Sequence, residues 1–582
     1  MVPSRQWWRF PAIASGLGAS AVLGPAWLDP TRWVPGHPLA DGAKHIWSYW
    51  HAPATLASWP WTDALNGPSG GLLLDPMALP AWLLAPLTAL GGPALSANVW
   101  VWGMLFAAGL GVARLARALG ATTGGATLAA ALAVMGQPLL AYPVASGVHE
   151  RLSVALLPWL VASMLRRART GEGGWVPAVL LAPLALHSGV WAWVGTLLMV
   201  AGLGLRREVS VTRYLRPWAL GLVLLAGAFA LSRGWSADPL SLAPQPGRHG
   251  LLGPGGAVVR AATPASLWWP ATPAFLEEGD LLVRGEHLGL VATGLVVWGL
   301  AQWRDRRTVW WGLVLGLLLA WALGPWPLGR LNPIYALSVW VVPLLGAWPE
   351  PGQLTMPLAL LLTAVVGAAW SGVSSKPGRG VLLALLVLER ALALPPLAQV
   401  TDTRTDPIFD QLDAPGVVVT IPRDLPHRRL TPGVPFIAQL RHQQPIAASV
   451  FPGVSRWDDW APVKSAQATD WLAVVRCMQR GGLRYVALRA DVLGDEAASI
   501  GGAMVAAGAR EVGRSESWVL VDLGASAQEP VAVPPFQPLG AAPAPTGWLP
   551  PAPLPVGVHT VERTTDTCPV DGVRRRGPPA SG

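Results

Sequence analysis

Long apolar runs are the feature of this sequence that most restricts its fold. Stretches of about 16–22 residues with little or no charge recur through residues 1–400, and each is long enough to cross a hydrocarbon core of roughly 30 Å. Only 13% of the 582 residues are charged, whereas 52% are hydrophobic. A water-soluble chain of this length needs more charged side chains to cover its surface. The sequence therefore predicts a polytopic α-helical membrane protein.

Arginine placement predicts the orientation of the spans. Six basic clusters lie between apolar runs, and by the positive-inside rule they share the cytoplasmic side. About eleven transmembrane helices satisfy all six clusters, with the N-terminus inside and the C-terminus outside. This count requires the apolar pieces 77–90 and 334–349, which proline or glycine interrupts, to be re-entrant or surface helices. The predicted spans are residues 11–28, 96–117, 122–140, 151–167, 175–189, 191–205, 217–232, 286–303, 308–325, 354–372 and 381–396.

The chain divides into three predicted regions. Residues 1–400 form the transmembrane domain, with large outer loops at 29–95 and 233–285. Residues 401–525 are predicted to form an extracytoplasmic α/β domain, and the Pro-rich residues 526–582 a disordered tail.

Local patterns inside the 401–525 region support the α/β prediction. GVVVTIP (416–422), RYVALRA (484–490) and SWVLVDL (517–523) have the composition of strands, and residues 468–482 have a helical apolar period that stops at glycine. Cys477 lies in that helix. We interpret it as a buried thiol and Cys568, in the tail, as a stray one, rather than as a disulfide or metal ligands.

The composition and motifs also exclude some functions. The sequence contains no P-loop, no G-x-G-x-x-G after a strand, no H-E-x-x-H and no paired C-x-x-C. The net charge of +9 fits cytoplasmic arginines better than a nucleic-acid partner.

The first outer loop carries the leading candidate site, in ADGAKHIWSYW. Asp41, Lys44 and His45 are spaced so that they share one face of a helix. Ile46, Trp47 and Trp50 would form an apolar face in the membrane interface. The alternative is that Asp41 only caps the helix, because Asp is a favoured N-cap residue. A capping carboxylate is a weaker base, but it could still orient a hydroxyl group or hold a cation.

Other ionisable residues form secondary candidates. His149 and Glu150, in SGVHERLSVALLPW, open the fourth span on the same side as Asp41; the alternative is that they are ordinary interfacial charges. Arg233 and its neighbours in the second outer loop could bind phosphate, or could be solvated loop charges. His187 lies inside an apolar span, where ionisable groups are costly. Glu389 and Arg390 are adjacent in the last span and are not expected to act as a pair.

The order of these parts resembles the GT-C superfamily of polytopic glycosyltransferases, which take sugars from polyprenyl-phosphate carriers. The resemblance covers about residues 10–525. It is carried by ADGAKHIWSYW, NGPSGGLLLDPMALPAWLLAPLTALGG, SGVHERLSVALLPW, HLGLVATGLVVWGL and the outer α/β domain with its strands VVVTIP and LRYVALR.

The resemblance implies an inverting transfer on the extracytoplasmic face of a bacterial inner membrane. The family's essential acid corresponds to Asp41, which would orient and partly deprotonate an acceptor hydroxyl. The departing lipid phosphate needs a positive charge to stabilise it. The candidates are Lys44, His45, His149 and Arg233, and a divalent metal ion is the alternative. Glu150 lies beside His149 in the later turn and is a further candidate for binding substrate. The expected partners are the lipid bilayer, a polyprenyl-phosphate-linked sugar and an unknown acceptor.

Two departures leave other functions open. The later turn has G-V-H-E where the family has G-H-x-E, and AWPEPGQLTMP lacks the arginines expected before span ten. A non-catalytic GT-C-fold protein in envelope glycan assembly is therefore an alternative. A transporter or flippase is a third, but it would need ionisable residues deep in several spans, and apart from His187 the spans hold almost none.

Overall fold

The chain forms two compact units. The helical unit contains residues 1–38, 83–276 and 281–402, and the sheet unit contains residues 39–82, 277–280 and 403–582. The computed structural model describes residues 6–36, 42–54, 61–62, 71–72, 77–171, 180, 194–195, 198, 202, 210–221, 223, 262–269, 286–303, 306–324, 332–335, 351–394, 400–422, 433–444, 446–447, 457, 460–468, 470–524 and 568.

Helices and strands are numbered in chain order over these residues. The helices are α1 (Arg9–Val22), α2 (Gly24–Trp27), α3 (Gly42–Ala54), α4 (Ala78–Leu83), α5 (Ala85–Ala118), α6 (Thr123–Val134), α7 (Gln137–Leu139), α8 (Leu157–Thr170), α9 (Pro264–Trp268), α10 (Leu290–Trp303), α11 (Arg306–Ala322), α12 (Thr355–Gly372), α13 (Lys376–Leu392), α14 (Gly433–His442), α15 (Ala461–Ser465), α16 (Trp471–Arg480), α17 (Ala490–Leu493) and α18 (Asp495–Ala506). The strands are β1 (Trp33–Pro35), β2 (Trp61–Thr62), β3 (Gly71–Leu72), β4 (Val400–Asp402), β5 (Val417–Ile421), β6 (Leu483–Arg489), β7 (Arg510–Arg514) and β8 (Trp518–Asp522). A π-helical segment lies at Leu140–Ala145, and 3-10 turns lie at His149–Leu156, Pro351–Leu354 and Pro407–Gln411.

Helices α1 and α13 of the helical unit expose large apolar side chains. On α13, Val381, Val387 and Leu388 are exposed, whereas Glu389 and Arg390 are buried. The exposed side of α1 is likewise apolar, with Phe10, Ile13 and Leu17. Apolar surface of this extent is stable when lipid covers it.

Two described helices are long and apolar enough to cross a membrane, Ala85–Ala118 and Gly352–Gly372. Shorter apolar helices lie at Thr123–Val134, Leu290–Trp303 and Val309–Ala322. The count of about eleven spans stays a prediction, because those at 175–189, 191–205 and 217–232 fall largely outside the described residues.

The apolar piece 77–90 corresponds to α4 and the beginning of α5. The helix is interrupted at Gly91 and Gly92, and Gly92 has a φ of +79°, which residues with a Cβ rarely adopt. Pro93 then restarts it. Helix α5 is therefore two helical pieces joined at a glycine break. Of the other interrupted piece, 334–349, the described part is Ile334 and Tyr335.

Small residues let the helices of this unit approach closely. A Cβ on Gly125 of α6 would clash with the carbonyl oxygen of Gly367 on α12. Helices within lipid have no hydrophobic driving force for association, so close packing of this kind stabilises their contact instead. At the same end of α12, Ser371 Oγ accepts a hydrogen bond from Thr122 N, 3.0 Å away, just before α6. The two helices are thus antiparallel, and the start of α12 lies at the end of α6.

The sheet unit contains a four-stranded mixed sheet in the order β5-β6-β8-β7. Strand β5 is parallel to β6, and the other neighbouring pairs are antiparallel. Every residue of β5 and β8 is buried, as expected for a sheet covered on both faces. The strands and the helix predicted from the sequence all form here.

Each face of the sheet packs against helices. One core contains Val419 and Leu488 with residues of α16 and α18. The core on the opposite side contains Val418, Tyr485 and residues of α14 together with Trp47 of α3. Residues from the first outer loop thus belong to the sheet unit, a grouping that the predicted domain limits do not anticipate.

Cys477 and Cys568 form a disulfide, with a Cα–Cα distance of 5.7 Å. The interpretation of two unrelated thiols was therefore wrong. Cys568 is 7% exposed and lies in the core of the sheet unit. At this one described residue, the Pro-rich tail is covalently attached to α16.

Candidate functional site

Several predicted site residues lie outside the described residues. Asp41 and Arg233 are among them, as are His187 and the other cations of the second outer loop. Lys44 is described only by its helical backbone, in α3. This helix begins at Gly42. His45, His149 and Glu150 are described with their side chains.

The start of the first outer loop is firmly held in the helical unit. Strand β1 pairs antiparallel with β4, which follows the last span, and Trp33 lies opposite Asp402. Arg32 Nη2 and Asp402 Oδ2 are 2.5 Å apart, and the Nε of the same arginine donates to Oδ1 at 2.9 Å. The hydrogen bonds and charge of Asp402 raise the pKa of Arg32. Asn98 of α5 adds two hydrogen bonds, to Pro30 O at 2.9 Å and Trp33 O at 2.7 Å.

This anchored segment packs directly on the turn that precedes His149. Gly36 has a φ of +123°, and a Cβ there would lie 2.9 Å from Val144 O. Thr401 Oγ1 donates to Gly36 O at 3.1 Å, which fixes the segment from the other side. The prediction that the first outer loop and the His149 turn lie on the same side of the membrane is consistent with this contact.

His149 and Glu150 lie in a segment of irregular backbone. The π-helical segment Leu140–Ala145 contains Pro143, and Gly147 has a φ of +65° before the chain turns into the 3-10 helix. Breaks in regular helix geometry of this kind are frequent at functional sites. Because the turn is 3-10, it directs side chains differently from the regular helix that the sequence predicts here.

His149 and Glu150 are both buried inside the helical unit, at 0% and 9% exposure. Arg151 is only partly buried, and its Nε lies 3.9 Å from Glu150 Oε1. Ser153 Oγ donates to Glu150 O at 2.9 Å and stabilises the turn. Burial of a carboxyl and an imidazole in an apolar unit is costly, so such groups usually bind a partner or take part in function.

Glu389 and Arg390 both bind the backbone of one segment, the residues that lead into α10. Glu389 Oε1 accepts a hydrogen bond from Val291 N at 3.0 Å, at the start of α10. Arg390 Nη2 donates to Leu288 O at 3.0 Å. Between these contacts Gly289 has a φ of +96°, and a Cβ there would clash with Glu389 Oε2. Both side chains bind the backbone that leads into α10, which no pairwise sequence spacing would reveal.

In the sheet unit, the apolar face of α3 has a different role from the one predicted. Ile46 and Trp47 are fully buried in protein, so this face does not lie in the membrane interface. Trp47 Nε1 donates to Gln439 Oε1 of α14 at 2.7 Å, and its ring stacks on His51 at 4.5 Å. His45 is also buried, at 2% exposure, rather than on an outward polar face.

Burial keeps two histidines of this unit neutral. It lowers the pKa of His51 to about 4 and that of His442, at the end of α14, to about 3. Neither is therefore a cation at neutral pH.

Comparison with solved structures gives the fold. The arabinofuranosyltransferase AftD from Mycobacteria has a TM-score of 0.52 and 15% sequence identity, over 89% of this chain and 42% of the AftD chain. This chain has the GT-C fold. It spans less than half the length of the AftD chain.

A second GT-C structure is also similar, at a lower score. It is the archaeal oligosaccharyltransferase AglB from Archaeoglobus fulgidus, in complex with an inhibitory peptide and a dolichol-phosphate, at a TM-score of 0.49 and 12% identity over 87% of this chain and 71% of that one. No protein-family model and no curated protein matches the sequence.

The GT-C fold confirms the resemblance given by the sequence, and it agrees with the apolar outer surface of the helical unit. Within the described residues, no group of three or more His, Cys, Asp or Glu side chains could hold a metal ion. Asp41, Asp63 and Asp75 lie outside the described residues.

Proposed function

We propose that this protein is a membrane glycosyltransferase of the inverting type. It moves a sugar from a polyprenyl-phosphate donor to an acceptor on the extracytoplasmic face. The observation that carries the proposal is the polar turn His149–Glu150, buried in a GT-C fold and packed against the anchored start of the first outer loop. Apolar helices around it would let the polyprenyl chain remain in lipid while its phosphate reaches buried polar groups.

Asp41 acts as the residue that orients the acceptor hydroxyl. As the hydroxyl oxygen attacks the anomeric carbon, its proton moves toward the carboxylate, and the bond from that carbon to the lipid phosphate breaks on the opposite face. The departing phosphate gains charge, and Lys44 and Arg233 stabilise it. His149 and Glu150 bind the sugar or phosphate. His45 is buried in α3, so it acts by holding that helix in place.

The proposed orientation places the sheet unit outside the cytoplasm. Its Cys477–Cys568 disulfide supports this location, because disulfides persist in oxidising compartments and are rare in the cytosol. The arginine clusters between spans support the same topology, with the N-terminus in the cytoplasm of a bacterial cell.

In vitro transfer tests the proposal. Purified protein is incubated with radiolabelled polyprenyl-phosphate sugars and a membrane-envelope acceptor fraction, starting with an arabinofuranosyl donor because AftD is an arabinofuranosyltransferase. We expect transfer by the wild type and a loss of at least about 100-fold in Asp41→Asn, the lower end of the range of general-base contributions. Asp75→Asn is the matched control and should transfer normally.

Two results would contradict parts of the proposal. Equal transfer by wild type and Asp41→Asn would remove the role given to Asp41. No transfer from any donor, together with binding of the envelope fraction, would favour the non-catalytic alternative in glycan assembly.

A further inference from the structure

Gln353 is a buried amide that the fold leaves without a hydrogen-bond partner. Its side chain is 6% exposed, and neither Nε2 nor Oε1 makes a hydrogen bond. An unsatisfied buried amide is uncommon in native proteins, because each lost hydrogen bond costs free energy that folding must recover elsewhere. Such a group is expected where a ligand or an ordered water completes the site.

The position of Gln353 adds a second reason to expect a ligand. It lies in the 3-10 turn Pro351–Leu354, immediately before the 18-residue helix α12. No side chain caps this helix, and its first turn contains no acidic residue. The chain is helical from Gly352 onward, so the N–H groups without an intrahelical carbonyl partner and the positive end of the helix dipole lie in this turn, where both favour an anion.

The start of α12 lies at the same end of the helical unit as the candidate site. Helices α6 and α12 are antiparallel, since Ser371 at the end of α12 bonds with Thr122 before α6. Helix α12 also contacts α7 and the 3-10 turn His149–Leu156, both of which follow α6 in the chain. Gln353 and the His149–Glu150 turn are therefore at one end of the same helix bundle.

The chemistry of this position selects the ligand. The amide Nε2 and the N–H groups of the turn are donors, and they would bind an oxygen-rich anion without supplying a full positive charge. The 3-10 turn also contacts α11, an apolar helix. An anion attached to an apolar chain fits this combination of donors and apolar surroundings.

We infer that Gln353 and the start of α12 form a subsite for the phosphate group of a polyprenyl-phosphate lipid. This inference rests on the proposed function and names the residues that bind its donor. It also explains how the segment AWPEPGQLTMP could bind phosphate without the arginines expected there. A neutral amide and helix N–H groups would donate the hydrogen bonds instead. The acid closest in the sequence, Glu350, lies outside the described residues.

Binding measurements on the full chain in detergent test the inference. The probes are undecaprenyl phosphate, undecaprenol, phosphatidylglycerol and inorganic phosphate, and the apparent Kd is read by native mass spectrometry. We expect the wild type to prefer undecaprenyl phosphate over undecaprenol. Gln353→Met keeps the side-chain length but removes the hydrogen-bond donor. It should weaken the binding of undecaprenyl phosphate by about tenfold or more, the usual effect of losing a hydrogen bond to a charged group.

Two further variants separate binding from folding. Gln302→Met is the matched control on the exposed surface of α10 and should leave all four affinities unchanged. Gln353→Met should unfold at the same temperature as the wild type or higher without ligand, because it removes an unsatisfied amide. If Gln353→Met does not fold, Gln353→Glu replaces it in the binding measurement. The added negative charge should repel the phosphate and abolish the binding of undecaprenyl phosphate.

The outcomes are distinguishable. Unchanged undecaprenyl phosphate affinity in the folded Gln353 variants would overturn the subsite while leaving the proposed function standing. Equal wild-type affinity for phosphatidylglycerol or inorganic phosphate would overturn the assignment to a polyprenyl carrier. A wild type that binds undecaprenol as well as its phosphate, and transfers no sugar, would contradict both the subsite and the proposed function.

Discussion

Removal of the Cys477–Cys568 disulfide should measurably destabilise the sheet unit. The bond joins residues 91 positions apart, so it closes a long loop in the unfolded chain. Chain-entropy reasoning assigns about 4.6 kcal/mol to a loop of that size, whereas measured values usually fall at about 2–4 kcal/mol. For a unit of this size, each 1 kcal/mol corresponds to roughly 2–4 °C in Tm, so we expect a loss of roughly 5–15 °C.

The assay is thermal unfolding of the full chain in detergent, followed by tryptophan fluorescence. Wild type is compared with and without reductant, and with the double variant Cys477→Ala/Cys568→Ala. The chain contains only these two cysteines, so reductant should have no effect on the double variant. An unchanged Tm in wild-type protein whose thiols are shown by mass spectrometry to be reduced would refute the reasoning.

Further predictions concern individual contacts. Gly289→Ala should lower the free energy of unfolding by about 2–4 kcal/mol in denaturant titrations, through a positive φ and a clash with Glu389, whereas exposed Gly294→Ala on α10 should not. Trp47→Phe should lower the free energy of unfolding by about 1–3 kcal/mol, because it removes the hydrogen bond from Trp47 Nε1 to the buried Gln439 Oε1. Adding Gln439→Leu to that variant should recover part of the loss in a double-mutant cycle. Arg32→Met should change stability by no more than about 1 kcal/mol, because the ion pair with Asp402 is partly exposed. Burial lowers the pKa of His51 to about 4 and that of His442 to about 3 in the folded chain, so the unfolded chain binds more protons as the pH falls below about 6.5. The Tm should therefore decrease from about pH 6.5 down to about pH 3, less steeply in His51→Phe, and a flat Tm over this range would contradict the prediction.

Much of the sheet unit could be predicted from the sequence because its signals are local. The runs around Val417–Ile421 and Trp518–Asp522 are continuous and apolar, as buried strands require, and α16 has a clear helical period. The pairing of β1 with β4 could not be predicted in this way. Each strand has three residues, and their partners are more than 360 positions apart.

The candidate site was less accessible to sequence reasoning. An amphipathic helix such as α3 has the same pattern whether its apolar face meets lipid or protein, so the burial of Trp47 against α14 left no separate signal. Glu389 and Arg390 bind backbone groups, which are the same at every position of the chain. The disulfide joins segments with no shared local pattern. Gln353 gave no signal of its own in the sequence, because its segment differs from the family pattern only by lacking arginines.

The contact between α3 and α14 also determines when this protein can finish folding. Trp47 and Gln439 are separated by 392 positions, and at about 5–20 residues per second the ribosome needs roughly 20–80 s to synthesise that interval. During this time the apolar face of α3, with Ile46 and Trp47, has been synthesised but lacks the helix that buries it. The core that contains Trp47 therefore cannot close until the chain beyond Gln439 has been made.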